Sequence, residues 1–435
     1  MNRPPQDRDQ ETTGAFDRRL TSYIRSRFAH TDQCPFLGPR IFFDSASGSL
    51  RLRVAADFAS AEAALPDQVN RDTPGSHHVM QTVKRGEEDV RTFLGADDSA
   101  EVVPALSATA ALFRTIGDAA AHYPGSNVVT TTLDHPATHD ALLRHCRLAG
   151  HQFRAVDPDR RTGTVCADDL LQRVDPDTAV LAFIHGSNVT GAFLDARRVV
   201  REARSINPDI AVIIDGVQYA PYAPVDVRDI GADVYVIAPY KTYGKKGIGF
   251  AVLSERFARI PHDRVRGKAA DEWSLGSADH INYGAWSAVV DYFARLGSQL
   301  TESTCRRRRI TAAMSAIEQH EKALLQRLVE GPGGRAGLRR LKGVTVYAAD
   351  GSLDRRTCVV PFNIEGLNPT EAARMYREEG IVVQGRVSVM STRQFRALGI
   401  ESEGVVRVSA AHYNTAAEID RFLAVTEDIA AARCP

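Results

Sequence analysis

Between residues 85 and 255 the chain alternates apolar runs of strand length with helical patterns, and this alternation limits its possible folds more than any other feature. The runs are Asn127 to Thr132, Ala179 to Ile184, Ala211 to Ile214, Val234 to Ile237 and Gly249 to Leu253. A series of this kind predicts βαβ units and a mainly parallel sheet with helices on both faces, because parallel strands need crossovers and the crossovers cover the sheet. The expected fold class is therefore α/β.

The flanks read differently. Residues 1 to about 40 are polar and Arg-rich, an arm followed by a short helix around Phe16 to Phe28. From about 284 to 330, Ala285, Val289, Tyr292 and Leu296 recur at helical spacing, which predicts one long helical stretch bridging two domains. After the Gly-Pro-Gly-Gly turn at 331 to 334, the segments Val344 to Tyr347, Cys358 to Ile364 and Val405 to Ser409, with helices from Thr370 and Ala416, predict a smaller α+β domain. The 54 basic and 54 acidic side chains balance, so no charge excess points to nucleic acid or to an anionic membrane. Met1 to Gln10 is polar, without a secretory signal, and the apolar runs are too short to span a bilayer, so a cytoplasmic location is expected. Six cysteines, Cys34, Cys146, Cys166, Cys305, Cys358 and Cys434, lack C-x-x-C spacing, which argues against a zinc site or a disulfide framework. Most are expected to be buried, inert thiols.

The richest segment is Ile213 to Leu253, which places Asp215 at the end of one strand and Lys241 just beyond the next. Ligands of open α/β sheets sit at the carboxyl ends of the strands. An acid there can keep a heterocyclic nitrogen protonated, and a nearby lysine can form an imine with an aldehyde. Together they meet the needs of pyridoxal phosphate (PLP). The plain alternative is that Asp215 caps a turn and Lys241 is a solvated loop residue.

As a whole, the string resembles the cofactor segment of class V aminotransferases, the family that includes cysteine desulfurases and related lyases. Asp215, Gln218, Asp226, Asp233, Lys241, Gly244, Gly247 and Gly249 fall in register with its motif. The resemblance extends over nearly the whole chain. It implies the PLP-dependent transferase (aspartate aminotransferase-like) fold: a mainly parallel seven-stranded sheet in a large domain, 56–305, a small C-terminal domain, 306–435, and residues 1–55 as an arm and part of the small domain. It implies that Lys241 carries the cofactor and that Asp215 partners the pyridine nitrogen. Ser107-Ala108-Thr109 resembles the phosphate-binding start of a helix, where the Thr109 hydroxyl and the Ala108 and Thr109 N–H groups would meet the phosphate, although a simple N-cap is the alternative. Asp134-His135 resembles the pair whose histidine stacks on the ring and takes part in proton transfer. Ser187 to Gly191 resembles the loop whose asparagine, here Asn188, approaches cofactor and substrate. Trp273 to Ser277 is similar to the segment that reaches the neighbouring subunit's phosphate, so Ser277 is a cofactor contact and the expected partner is a second copy, in a homodimer with active sites at the subunit interface. Arg407 to Thr415 resembles the motif whose arginine, Arg407, grips the substrate's α-carboxylate; the alternative is a surface ion pair.

Departures narrow the reading. Ala238-Pro239-Tyr240 replaces the family's Ser-x-His, with the Tyr240 hydroxyl as a substitute donor. In Gly380 to Met390, the histidines and reactive cysteine of the desulfurases are missing, Val389 lies near the cysteine position, and Gln384 replaces an arginine. The expected activity is a C–S lyase, eliminating from cysteine or an S-substituted cysteine without a protein persulfide. Two alternatives stay open: an aminotransferase, epimerase or decarboxylating deaminase, and a non-catalytic dimeric binding protein of the same fold. A dinucleotide-binding reading fails because no G-x-G-x-x-G opens the first βα unit.

Overall fold

A computed structural model describes residues 16–433 apart from 66–68, 271, 278, 349, 388–390 and 402–403. Its larger sheet has seven strands: β1 (Glu101–Ala105), β2 (Asn127–Thr131), β3 (Gln152–Val156), β4 (Thr178–Ile184), β5 (Ala211–Asp215), β6 (Val234–Ile237) and β7 (Gly249–Leu253). Their order is β1-β7-β6-β5-β4-β2-β3, parallel throughout except that β7 runs antiparallel to both β6 and β1. The five apolar runs are all strands and are buried along their length. Their side chains divide by strand period between two cores. Val128, Val180, Ala182 and Ile213 join one, with the helix α1 (Ala108–His122), while Val129, Leu181, Phe183 and Val212 join the other. Burying each such Val or Leu contributes about 1.5–3 kcal/mol.

The two strands missed in the sequence are the sheet's edges. β1 contains Pro104 and β3 begins with exposed Gln152, so neither forms a continuous apolar run, and an edge tolerates both residues. The predicted stretch from 284 to 330 is two helices, α3 (His280–Gly297) and α4 (Arg306–Glu330). The chain turns between them because α4 crosses close to the end of α3: a Cβ on Gly297 would lie 1.8 Å from the Arg309 carbonyl oxygen. The first half of α4 packs Ile310, Met314 and Ile317 into the larger core, and the second packs Leu324, Leu325 and Leu328 beside the smaller sheet.

That smaller sheet is antiparallel, with β8 (Val344–Val346), β9 (Val359–Ile364), β10 (Gln384–Val387) and β11 (Gly404–Ser409) in the order β8-β9-β11-β10. The helices α5 (Pro369–Glu378) and α6 (Ala416–Ala431) contribute to its core. The N-terminal helix Arg18–Arg27 starts at the cap Asp17, as the sequence predicts within two residues. Beyond it, Ile41–Phe42 pairs in parallel with Ile381–Val382, and Asp44 bridges to Ser409, which carries the N-terminal segment to the edge of the cleft between the sheets. Among the described residues, no helix is long and apolar enough to cross a membrane. The expectation of mostly buried thiols is corrected: Cys146 and Cys358 are buried, Cys34 is half-buried, and Cys166 and Cys305 are exposed at helix starts; Cys434 lies outside the described residues.

Candidate active site

Asp215 ends β5 and is buried at the carboxyl edge of the larger sheet. One of its oxygens accepts from the Val217 N–H at 3.0 Å and the other from the Thr138 hydroxyl at 3.4 Å. Burial raises its pKa while the Val217 bond and Lys241 oppose the rise. Lys241 closes a single 3-10 turn, Pro239–Lys241, just after β6. Burial, with the charges of Arg407 and Arg386, pushes its amine down to about 7, against the pull of Asp215. Both line one cavity with His135, Asn188, Gln218 and Tyr240. Asp215 does cap a turn, as the plain alternative held, but it also faces this cavity, and Lys241 is no solvated loop lysine.

His135 enters the cavity as the N-cap of α2 (Pro136–Ala149), its Nδ1 accepting from the Ala137 N–H at 3.1 Å. The proton of the neutral ring is therefore on Nε2. Burial and the nearby Lys241 charge hold its pKa down at about 4, so at neutral pH it presents a donor and a flat face and has no free basic nitrogen. Asp134 is scaffold: it accepts from Thr130, Thr131 and, at 2.5 Å, the Ile184 N–H, tying the ends of β2 and β4 together.

At the opposite end, α1 points its N-terminus at the cavity, with Ser107, Ala108 and Thr109 on the lining. The Ser107 hydroxyl accepts from the Ala110 N–H at 3.1 Å, the simple cap foreseen as the alternative. The first-turn N–H groups of Ala108 and Thr109 have no acceptor within the helix, and with the helix dipole they make an anion cradle. Gly249 makes room for it, since a Cβ there would stand 2.3 Å from the Ala108 nitrogen. The Tyr240 ring lies on the lining over Gly48, 3.5 Å from the position of a Cβ. Gln218 donates to the Ala46 carbonyl at 2.9 Å, joining the N-terminal segment to the site. Ser277 is exposed and absent from the cavity of its own chain, and Thr109 is open to solvent.

Arg407 on β11 is fully buried. Its terminal nitrogens donate to the Asn188 carbonyl at 2.8 Å, Asp44 at 3.1 Å and the Ser47 hydroxyl at 2.5 Å, while Nε is buried without a partner. A surface ion pair is thereby excluded. Asn188 accepts at Oδ1 from Gln394 at 3.3 Å, so its amide nitrogen is turned to donate. Sequence reasoning missed Asp44, Ser47, Gln394 and Arg386. Strand period alone puts Arg386 on one face with Gln384; that this is the face of Arg407 follows only from the pairing of β10 with β11. Val389 lies outside the described residues.

With this geometry in hand, comparison with known proteins is specific. The class-V aminotransferase profile matches residues 41–422. An aminotransferase-like protein of Gibberella zeae is 26% identical over 74% of this chain and 77% of its own. A probable cysteine desulfurase of Mycobacterium leprae is 27% identical over 80% of this chain and 82% of its own. The solved cysteine desulfurase of Thermococcus onnurineus superposes with a TM-score of 0.81 at 21% identity, covering 96% of this chain and 100% of that one. A profile match of this length, on a cavity that unites a strand-end acid with a half-buried lysine, makes the chain a member of the class-V aminotransferase family and a PLP-dependent enzyme.

Proposed function

We propose that this enzyme is a C–S lyase that eliminates the sulfur substituent from cysteine or an S-substituted cysteine without passing through a protein persulfide. The residues present fit the cofactor: the cradle over Gly249 suits its phosphate, the raised Asp215 its ring nitrogen and the depressed Lys241 amine its aldehyde. When bound, PLP supplies an electron sink for the bond broken at Cα.

The chain's own groups then divide the work. Arg407 offers its unpartnered Nε to the α-carboxylate. Asn188, on the lining of the Lys241 cavity with its oxygen taken by Gln394, keeps its amide nitrogen to donate to the same ligand. Asp215 keeps the ring nitrogen protonated. Lys241, with a pKa of about 7, takes the α-proton and can return it elsewhere. His135 donates and stacks. The net reaction consumes one water, and the sulfur leaves with the C–S bonding pair, giving a thiol, pyruvate and ammonia with no oxidant.

The observation that carries this reading is the state of the thiol near Lys241. Among the described residues, Cys358 is the cysteine that lines a cavity with Lys241, and burial beside Glu321 raises its pKa far above the ordinary thiol range. Such a group is not the thiolate a sulfur acceptor needs. The reading includes a homodimer, supported by the solvent-open phosphate end and the outward position of Ser277.

Incubating the PLP-loaded protein with S-substituted cysteines tests it. Equal amounts of thiol and pyruvate are expected. Sulfur added to any cysteine at the rate of turnover would restore a desulfurase. Accumulation of the pyridoxamine form of the cofactor without pyruvate would establish an aminotransferase, as the name of the Gibberella zeae relative suggests.

A further inference from the structure

The smaller sheet brings a second guanidinium to the substrate end. In the β10 to β11 ladder Gln384 lies opposite Arg407 and Arg386 opposite Val405. Directly opposed residues share a face, and residues two apart on a strand share a face, so Arg386 stands on the same side as Arg407, one step along the sheet. The Arg386 Nε donates to the Ser391 hydroxyl at 2.7 Å. Among the described residues, no carboxylate lies within ion-pair distance of it, and Asp44, which acts on its charge from farther off, is bonded to Arg407 instead. Its charge is nonetheless felt at Lys241 and His135, and it feels the charges of Arg407 and Asp44 in turn.

The local balance is uneven. Arg407, Arg386 and Lys241 are cationic groups close enough to act on one another's charge, answered by Asp44 and Asp215. Asp44 is bonded to Arg407, and Asp215 is assigned to the cofactor's ring nitrogen. Burial and the neighbouring Arg407 both disfavour the Arg386 charge, and Asp44, already bonded to Arg407, offsets only part of this. A guanidinium held beside another without its own counter-ion is a poor structural element, because a neutral residue could tether Ser391 at less cost. It is a sound receptor for a ligand that brings the missing charge.

We propose that Arg386 receives a second anionic group, at the end of the substrate's side chain, so that the amino acid taken by this site is acidic at both ends. The α-carboxylate goes to Arg407 and the distal carboxylate, or a sulfur oxyanion of similar shape, to Arg386. This rests on the reading of Lys241 and Arg407 given above, though not on which bond breaks. Within the lyase reading it narrows the substrates to cysteines whose S-substituent carries an acid.

Two probes of nearly equal size decide the matter: S-carboxymethylcysteine, and S-carbamoylmethylcysteine, in which a neutral amide replaces the acid. Binding to the PLP-loaded enzyme is measured by calorimetry, alongside thiol and pyruvate release. The acid should bind at least about ten-fold more tightly than the amide, the scale of one desolvated charged hydrogen-bonded pair. Arg386→Gln should remove that preference by weakening the acid alone, and Arg386→Lys should restore part of it. Should Arg386→Gln fail to fold or to hold cofactor, the comparison of probes on the unaltered enzyme still decides. Equal binding of acid and amide overturns the proposal, as does an equal loss of both in Arg386→Gln. Preference for the acid without thiol release supports the anion site and refutes the lyase. Equal thiol release and equal binding from both probes supports the lyase and refutes the anion site.

Discussion

Lys241 shows how a single residue acquires chemistry from its surroundings. An ordinary lysine, with a pKa of 10.5, is almost wholly protonated at neutral pH and useless as a nucleophile; here burial and two guanidiniums bring it to about 7. Capture of the cofactor needs the neutral amine, so the rate at which apoprotein takes up PLP should rise with pH through a midpoint near 7, followed by the absorbance of the bound cofactor. Removing a nearby positive charge makes the ammonium easier to keep, so Arg386→Gln should move that midpoint upward. A profile with no midpoint between about pH 6 and 8 would show that Lys241 titrates as a solvated amine. Lys241 and Asp215 were legible in the sequence because each falls at the end of an apolar run inside a dense motif. Arg386 was not, because its meaning depends on the strand opposite.

At the scale of elements, the start of α1 depends on a residue far along the chain. Gly249, the first residue of β7, lies beneath it, and a Cβ would come within 2.5 Å of the Ser107 carbonyl carbon and 2.3 Å of the Ala108 nitrogen, both backbone. Neither atom can swing aside as a long side chain would. Gly249→Ala should therefore lift the helix start, lowering stability by roughly 1–3 kcal/mol and weakening PLP binding more than the loss of stability explains. Thermal melts of the apoprotein and equilibrium dialysis with PLP measure the two effects separately. Unchanged cofactor affinity would show that the cradle does not bind the phosphate. Gly247 is needed for a different reason: its φ of +101° lies where side chains are strained, while nothing stands within 4 Å of a Cβ. Asp233, matched in the same motif, is scaffold, for it holds the Val212 N–H at 2.8 Å and the Arg256 guanidinium at 2.5 and 2.7 Å. A motif match alone does not separate such residues from those that line the cavity.

For the molecule as a whole, the larger sheet's cavity is bordered by Asn188, whose carbonyl Arg407 holds from the smaller sheet, and is open to solvent at Thr109. Leu106 beside that opening is 84% exposed and Leu275, near Ser277, is 50% exposed, apolar surface that a second copy would cover. The protein should sediment as a dimer, and Ser277→Ala should weaken PLP binding although Ser277 does not touch its own chain's cavity. A monomer that binds PLP as tightly as the family fold requires would refute this. The sequence by itself determined the central strands, the family and the pair Asp215 and Lys241, because strand period, apolar runs and motif spacing are local properties of the chain. Only the tertiary structure decided where the helix after 284 breaks, which motif residues face the cavity, and that Arg386 stands beside Arg407, because close crossings, strand register and the balance of buried charge exist only between segments distant in sequence.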